Sequence, residues 1–433
     1  MNMNILLVGS GAREHIIAQQ ISRSASLYSI MAKKHPGIAS LSKEILIHDP
    51  ADSGVVGAWA KSRNIDVAFV SPDALLSEGV TDTFADMGIP VASPTKKAAR
   101  IEWDKGFARS LMQAKEIPGC PKLKIASTLS EAKEAISEIG EVAIKPLGLT
   151  GGKGVRISGE HLNNEAEILA YCKELIEKDG NVLIEEKLDG EEFTLQAFCD
   201  GSDLALMPPV QDHKRAFVGD SGPNTGGMGS YSTGNLLPFL EQKDIYRATD
   251  IMQKTLAALK EEGIPFTGIL YGQFMLTKDK IKVIEFNARF GDPEAINVLT
   301  LLKTELSEIF QSMSEGKLIP VTFSNECTVV KYLVPEGYPE KGISNKQISI
   351  DEKGLWNSGA KLYYGSVYET EDGIYTTSSR TAAVVSKAET LEEAEEKTES
   401  ALSHIKGPLW HRKDIGTKEL INRRMEHVRR LKS

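Results

Sequence analysis

VIEFNARFGDPEAI (residues 283–296) alternates apolar and polar side chains, which predicts a strand with two unlike faces. Ile284, Phe286, Ala288 and Phe290 fall on one face, and Glu285, Asn287 and Arg289 on the other. A strand face turned to water usually carries Lys, Thr or Ser. Here the row is a carboxylate, an amide and a guanidinium spaced about 7 Å apart, followed at once by a Gly-Asp-Pro-Glu turn. Glu285 and Asn287 are hard oxygen donors, suited to divalent cations that bridge nucleotide phosphates. Arg289 suits a planar anion that receives a phosphoryl group. Taken alone, the row also fits a solvated face, so the rest of the chain has to decide.

The 433 residues suggest about three domains at roughly 150 residues each. An apolar strand, a glycine turn and a helix in NILLVGSGAREHIIAQQI, repeated in outline by IDVAFVSPDALL, predict a parallel sheet covered on both faces. The fold class is therefore α/β, α+β overall. A doubly wound domain is expected over 1–101 and a central domain with longer strands and glycine-rich loops over 102–325. A small α+β domain follows over 326–433. The net charge of −9 disfavours non-specific nucleic-acid binding, and no apolar run of membrane-spanning length occurs. Met1 to Val8 lacks the basic stretch and cleavage site of a secretory leader. Cys120, Cys172, Cys199 and Cys327 lie far apart without a metal-ligand spacing, so reduced thiols and a cytoplasmic protein are expected.

Two glycine turns carry chemistry. Gly9-Ser10-Gly11-Ala12-Arg13-Glu14 has two glycines of a dinucleotide fingerprint but Glu14 at the third, which disfavours a nicotinamide-dependent oxidoreductase. An anion site at the helix start and a tight turn holding nothing both remain. In EVAIKPLGLTGGKGVRI the glycine spacing is one short of a Walker loop, and a glycine and a strand follow the lysine, which excludes a P-loop. A hairpin with a mobile glycine tip remains, with Lys145 at its base and Lys153 at its tip, able to close over phosphates. A merely flexible hairpin would leave Lys145 without a partner. In NVLIEEKLDGEEFTL, a buried strand continues into Glu185, Glu186, Leu188 and Glu192. Its edge can offer adenine one N–H and one C=O, and a later carboxylate can accept ribose hydroxyls. An acid-rich surface strand is the alternative.

At this point the sequence resembles the ATP-grasp ligases and, within them, the phosphoribosylamine–glycine ligases, over nearly its whole length. The most specific stretches are QDHKRAFVGDSGPNTGGMGSYS (211–232), EFNARFGDPE (285–294) and RKDIG (412–416). The resemblance implies a central ATP-grasp domain with a flap subdomain at about 123–190. It also implies ATP and Mg2+ or Mn2+ as cofactors and a part in purine biosynthesis. Glycine would be activated as glycyl phosphate and joined to 5-phosphoribosylamine; another amine or amino acid is the alternative. By resemblance, Lys105, Lys145 and Lys153 hold phosphates, with Glu185 beside them. Glu186 and Leu188 offer backbone to adenine, and Glu192 takes the ribose. Gln273, Glu285 and Asn287 take the metals.

Arg289 and Asp292 hold glycine and its acyl phosphate, with Lys145 completing the catalytic set. Gly9, Gly11, Arg13 and Glu14 face phosphoribosylamine together with His213, Lys214 and the loop Pro223, Asn224, Thr225, Gly226, Gly227 and Met228. Successive glycine N–H groups in that loop suit a phosphate nest. Partners are small molecules, with neither nucleic acid nor membrane, and the chain is a monomer or weak homo-oligomer. The family's pattern is broken at Ala12, Ser71, Asp73, Ile296 and Ser378, mostly on the phosphoribosyl side or in the C-terminal domain. A non-catalytic ATP-binding protein is disfavoured because nothing structural requires Lys145, Glu285, Asn287 and Arg289 together.

Overall fold

The computed structural model describes residues 3–148 and 154–433. The N-terminal part is a parallel sheet of four strands in the order Glu44–Ile47, Ser26–Met31, Asn4–Val8, Val67–Val70. Ile5, Leu6, Leu7 and Val8 are all fully buried because helices cover both faces of the sheet. One of these helices, Ala12–Ile21, turns Ile16, Ile17 and Ile21 inward. The strand order reverses at Asn4–Val8, which opens a crevice at the carboxyl ends of Asn4–Val8 and Val67–Val70. The Gly9–Glu14 turn and Ser71 stand there.

The central part is built on an antiparallel sheet ordered Leu204–Leu206, Glu191–Asp200, Thr267–Leu276, Ile281–Asn287. One apolar core joins it to the N-terminal sheet through the helices Lys96–Trp103 and Lys105–Ala114, with Leu6, Ile101, Met112, Phe193 and Phe274 in one cluster. A second antiparallel sheet, Leu123–Ala126, Val182–Glu186, Val142–Lys145 and Arg156–Ile157, carries the helices Leu129–Ile139 and Glu165–Asp179 on a separate core. A unit with its own core can shift as a body without exposing apolar surface.

The C-terminal sheet contains Cys327–Pro335, Ala382–Ala388 and Lys361–Tyr364, backed by the helix Leu391–Leu402. Strands Gln211–Asp212 and Gly229–Ser232 extend this sheet by antiparallel pairing. The stretch 211–232, which the sequence places within the central region, is therefore bonded to the C-terminal one.

The strand predicted from residue 283 onward ends at Asn287, and its alternation is broken once. Gln273 faces Glu285, but Phe274 faces Val283, so Ile284 is an extra residue in the ladder. This bulge corrects the expected faces: Ile284 is half-buried and lines the cleft on the same side as Glu285, instead of joining Phe286 in the core.

Candidate active site

A cleft of about 1280 Å³ lies where the three parts meet. Glu285 and Asn287 face it from the bulged strand, with Gln273 across the ladder from Glu285. Burial pushes the Glu285 carboxyl up, but Lys214, Lys105, Lys145 and Arg289 more than reverse this and hold it below the usual range. Glu285 carries no hydrogen bond among the described residues, so its charge is available to a ligand. Gln273 is already engaged: its Oε1 accepts from Lys214 Nζ at 2.6 Å and its Nε2 donates to Glu192 Oε2 at 2.6 Å.

Beneath Glu285 lies a second carboxylate with the opposite character. Glu185 is 2% exposed and accepts from Lys145 Nζ at 2.6 Å and from both Nε and Nη2 of Arg109. Arg109 also donates to the carbonyls of Val283 at 3.1 Å and Ile284 at 2.7 Å, which pins the bulge. Burial raises the Glu185 carboxyl, but Arg109 and Lys145 bring it down to about 2. One sequence expectation changes here: Lys145 has a protein partner, so the flexible-hairpin reading does not leave it unpaired. Glu185 lines the cleft beside Lys145, with its carboxylate engaged by Lys145 and Arg109. Arg109 was missed; its only signal is a guanidinium on the buried side of an apolar helix turn, beside Ala108 and Met112.

Lys105 lines a small cavity together with Glu285, Glu185 and Lys145, and its Nζ donates to Gly148 O at 2.8 Å at the base of the hairpin. Lys153 lies outside the described residues. At the strand edge, the Glu186 N–H is bonded to Lys122 O at 2.9 Å and its carboxylate to Lys282 at 2.7 Å. The Leu188 N–H has no partner among the described residues, and Leu188 and Glu192 both line the cleft.

On the opposite side, Arg289 pairs with Glu102 at 3.1 Å and donates to Phe290 O at 3.2 Å, and its Nε finds no partner among the described residues. Glu102, which also accepts from the Ala288 N–H at 2.7 Å, was not foreseen. Asp292 accepts from Tyr332 Oη at 2.6 Å and from Arg380 Nη2 at 2.8 Å. Arg13 bonds Glu14 at 2.7 Å and Phe290 O at 2.9 Å, and Glu14 also accepts from Ser71 Oγ at 2.6 Å. Gly11 lines the cleft while Gly9 packs against Pro72 behind it. His213 is fully enclosed; burial first, then Arg412 and Arg424, pull its ring down to about 3, so it is neutral. Neither ring nitrogen has a partner among the described residues.

The loop after Lys214 corrects the nest expectation. The N–H groups of Thr225, Gly227 and Met228 are taken by Lys214 O, Thr225 Oγ1 and His213 O at 2.7, 3.0 and 2.8 Å. Asn224, Thr225 and Gly226 line the cleft, whereas Pro223 and Gly227 do not, and Met228 is buried in the apolar core.

Family models for phosphoribosylglycinamide synthetase match the N domain over residues 3–102, the ATP-grasp (A) domain over 103–295 and the C domain over 328–418. The chain belongs to this family. It is 49% identical over 437 residues to the phosphoribosylamine–glycine ligase of Methanosarcina barkeri, covering 99% of this chain and 100% of that protein. To the same ligase of Pyrococcus abyssi it is 45% identical, covering 99% and 98%. Among solved structures, it is similar to the phosphoribosylamine–glycine ligase of Thermotoga maritima, with a TM-score of 0.82 and 25% identity over 95% of this chain and all of that one. A biotin carboxylase from Campylobacter jejuni shares the fold at a TM-score of 0.74 and 16% identity over 99% of each chain. The chain is thus an ATP-dependent carbon–nitrogen ligase.

The Glu185 cluster generates a stability prediction. Removing one partner of a buried charge cluster costs about 3 kcal/mol or more, so Arg109→Met should lower the unfolding free energy by that order at pH 7. Glu185 titrates lower folded than unfolded, so its contribution is present above the unfolded carboxylate value and fades as pH falls toward about 2. Without Arg109 the folded-state value moves up toward the unfolded one, so less stability should be lost between pH 7 and pH 4. Denaturant melts at pH 7 and pH 4 check both effects; parallel, unshifted curves for the two proteins would rule out this role for the cluster.

Proposed function

We propose that this cleft joins glycine to 5-phosphoribosylamine at the expense of ATP, giving glycinamide ribonucleotide, ADP and phosphate. The observation that carries the residue assignment is Glu285, an ionised carboxylate with no hydrogen bond among the described residues and with Lys214, Lys105, Lys145 and Arg289 around it. Such a ring suits polyphosphate and acyl-phosphate oxygens brought in with a divalent cation. The donor set fits such a cation. Glu285 and Asn287 are hard oxygen ligands facing the cleft, and Gln273 joins them once Lys214 releases its Oε1. When bound, Mg2+ or Mn2+ supplies charge neutralisation at the phosphates.

In this reading adenine lies against the Glu186 carbonyl and the Leu188 N–H, and the ribose meets Glu192. Lys105 and Lys145 hold the phosphates, with Glu185 fixing the Lys145 ammonium from below. Arg289 binds the glycine carboxylate and Asp292 its ammonium, which places a carboxylate oxygen for attack on the γ-phosphorus. ADP leaves, and the bond formed is that of glycyl phosphate. The amine of phosphoribosylamine, oriented by the 224–226 loop, Lys214, neutral His213 and the Arg13–Glu14 pair, then attacks the acyl carbon. Phosphate departs, the amine gives up a proton, and the amide remains. The protein acts on small molecules in the cytoplasm, as a monomer or weak homo-oligomer; no helix is long and apolar enough to cross a membrane among the described residues.

Phosphate release from ATP should require glycine and freshly generated phosphoribosylamine together; vigorous turnover with another amino acid and none with glycine would overturn the substrate assignment. Glu285→Ala should lower turnover by at least about 10²-fold, the scale of losing one well-placed electrostatic group. Because Glu285 faces the cleft and fills no core space, the thermal midpoint should hardly move. Near-normal turnover at saturating magnesium would show that this carboxylate is only solvated surface.

A further inference from the structure

Asp292 and the 224–227 loop come from different stretches of the central region, yet one side chain of the C-terminal sheet holds both. Arg380 Nη1 donates to the carbonyls of Gly226 at 2.8 Å, Gly227 at 2.9 Å and Asp292 at 3.4 Å, while Nη2 donates to Asp292 Oδ2 at 2.8 Å. The guanidinium lies over the Tyr332 ring, 4.4 Å from its centroid, and the Tyr332 hydroxyl fixes the other Asp292 oxygen. Both oxygens of Asp292 are therefore oriented by residues outside the ATP-grasp domain. The glycine pair follows from this contact. A Cβ on Gly226 would sit 3.0 Å from Arg380 Nη2, and one on Gly227 would sit 2.6 Å from Pro293 Cδ. A lysine could not replace the arginine, since a single ammonium cannot span two carbonyls and a carboxylate in one plane.

We propose that Arg380 is a positioning residue that locks the amine-binding loop and the Asp292 turn into one rigid unit, so that glycyl phosphate meets the amine before it meets water. The inference rests on the reading that Asp292 holds glycine. An acyl phosphate is open to hydrolysis, and a misplacement of about 1 Å between reacting groups costs about 10²-fold in rate. A loop that drifts from the turn should therefore waste the intermediate as well as slow the transfer.

The test measures phosphate and amide product in parallel, in the full-length chain, with ATP, glycine and phosphoribosylamine. The parent protein should release equal amounts. Arg380→Met should cut amide formation by about 10²-fold while glycine-dependent phosphate release falls less, so that phosphate exceeds amide. The KM for ATP should stay within about twofold. Added guanidinium at millimolar concentration should partly restore equal release, which a purely structural loss would not allow. Gly226→Ala, which crowds Arg380 without removing it, should uncouple the two products in the same direction and decides the matter if Arg380→Met does not fold. Equal release at parental rate in the variant that folds would overturn the proposal. Asp292→Asn separates this from the underlying reading. If it leaves the glycine KM and kcat unchanged, Asp292 does not hold glycine; if it impairs both while the Arg380 and Gly226 variants stay coupled, only the positioning role fails.

Discussion

Cations crowded into a half-enclosed cleft repel one another, and the architecture depends on how that repulsion is relieved before any ligand arrives. Two unit charges 4 Å apart at an effective dielectric of 20 interact by about 4 kcal/mol, so Lys145 and Arg109 could not share their site without Glu185 between them. Glu185 comes from the strand Val182–Glu186, Lys145 from Val142–Lys145 and Arg109 from the helix Lys105–Ala114. The ion cluster therefore ties the separately cored hairpin unit to the body at the place where phosphates would lie. Above it, Glu285 shares Lys145 with that cluster and has Lys214, Lys105 and Arg289 within reach as well, but carries no hydrogen bond among the described residues. One carboxylate is saturated and structural, and the other is charged and free.

The bulge at Ile284 is what allows both carboxylates to work at once. The extra residue lets the Ile284 carbonyl turn down to Arg109, with Lys145 Nζ 3.4 Å from the same oxygen, while Glu285 next to it faces up across from Gln273. A regular ladder would leave that carbonyl to the neighbouring strand and Arg109 short of an acceptor. The cost of the broken ladder is offset by charge-assisted bonds to the freed carbonyls. Arg380 solves a similar problem on the far side of the cleft, where loops rather than strands must be held together.

The parallel sheet was readable from the unbroken apolar run Ile5–Val8, and the functional strand from the row Glu285, Asn287, Arg289, because burial pattern and period follow directly from the order of residues. The bulge was not read, since register depends on the partner strand; its one local trace is the adjacent apolar pair Val283 and Ile284, after which residues 284–290 alternate as if the ladder were regular. Glu102, Arg109 and Arg380 stayed hidden for a related reason. Each is a single charge in an ordinary local context, and its role arises only when a distant carbonyl or carboxylate is brought to it. The glycine loop misled in the opposite sense. Gly226 and Gly227 look like anion donors in sequence, whereas in the fold their carbonyls face Arg380 and their missing side chains make room for it and for Pro293.

In the proposed reaction glycine, with its carboxylate at Arg289 and its ammonium at Asp292, attacks the γ-phosphorus through a carboxylate oxygen and later surrenders that oxygen to phosphate. Glycine labelled with heavy oxygen in its carboxylate tests this most directly when the phosphate released during ligation is analysed by mass spectrometry. One labelled oxygen is expected in each phosphate formed, and one in the amide product. Unlabelled phosphate, with the oxygen lost from the carboxylate recovered in water instead, would contradict it.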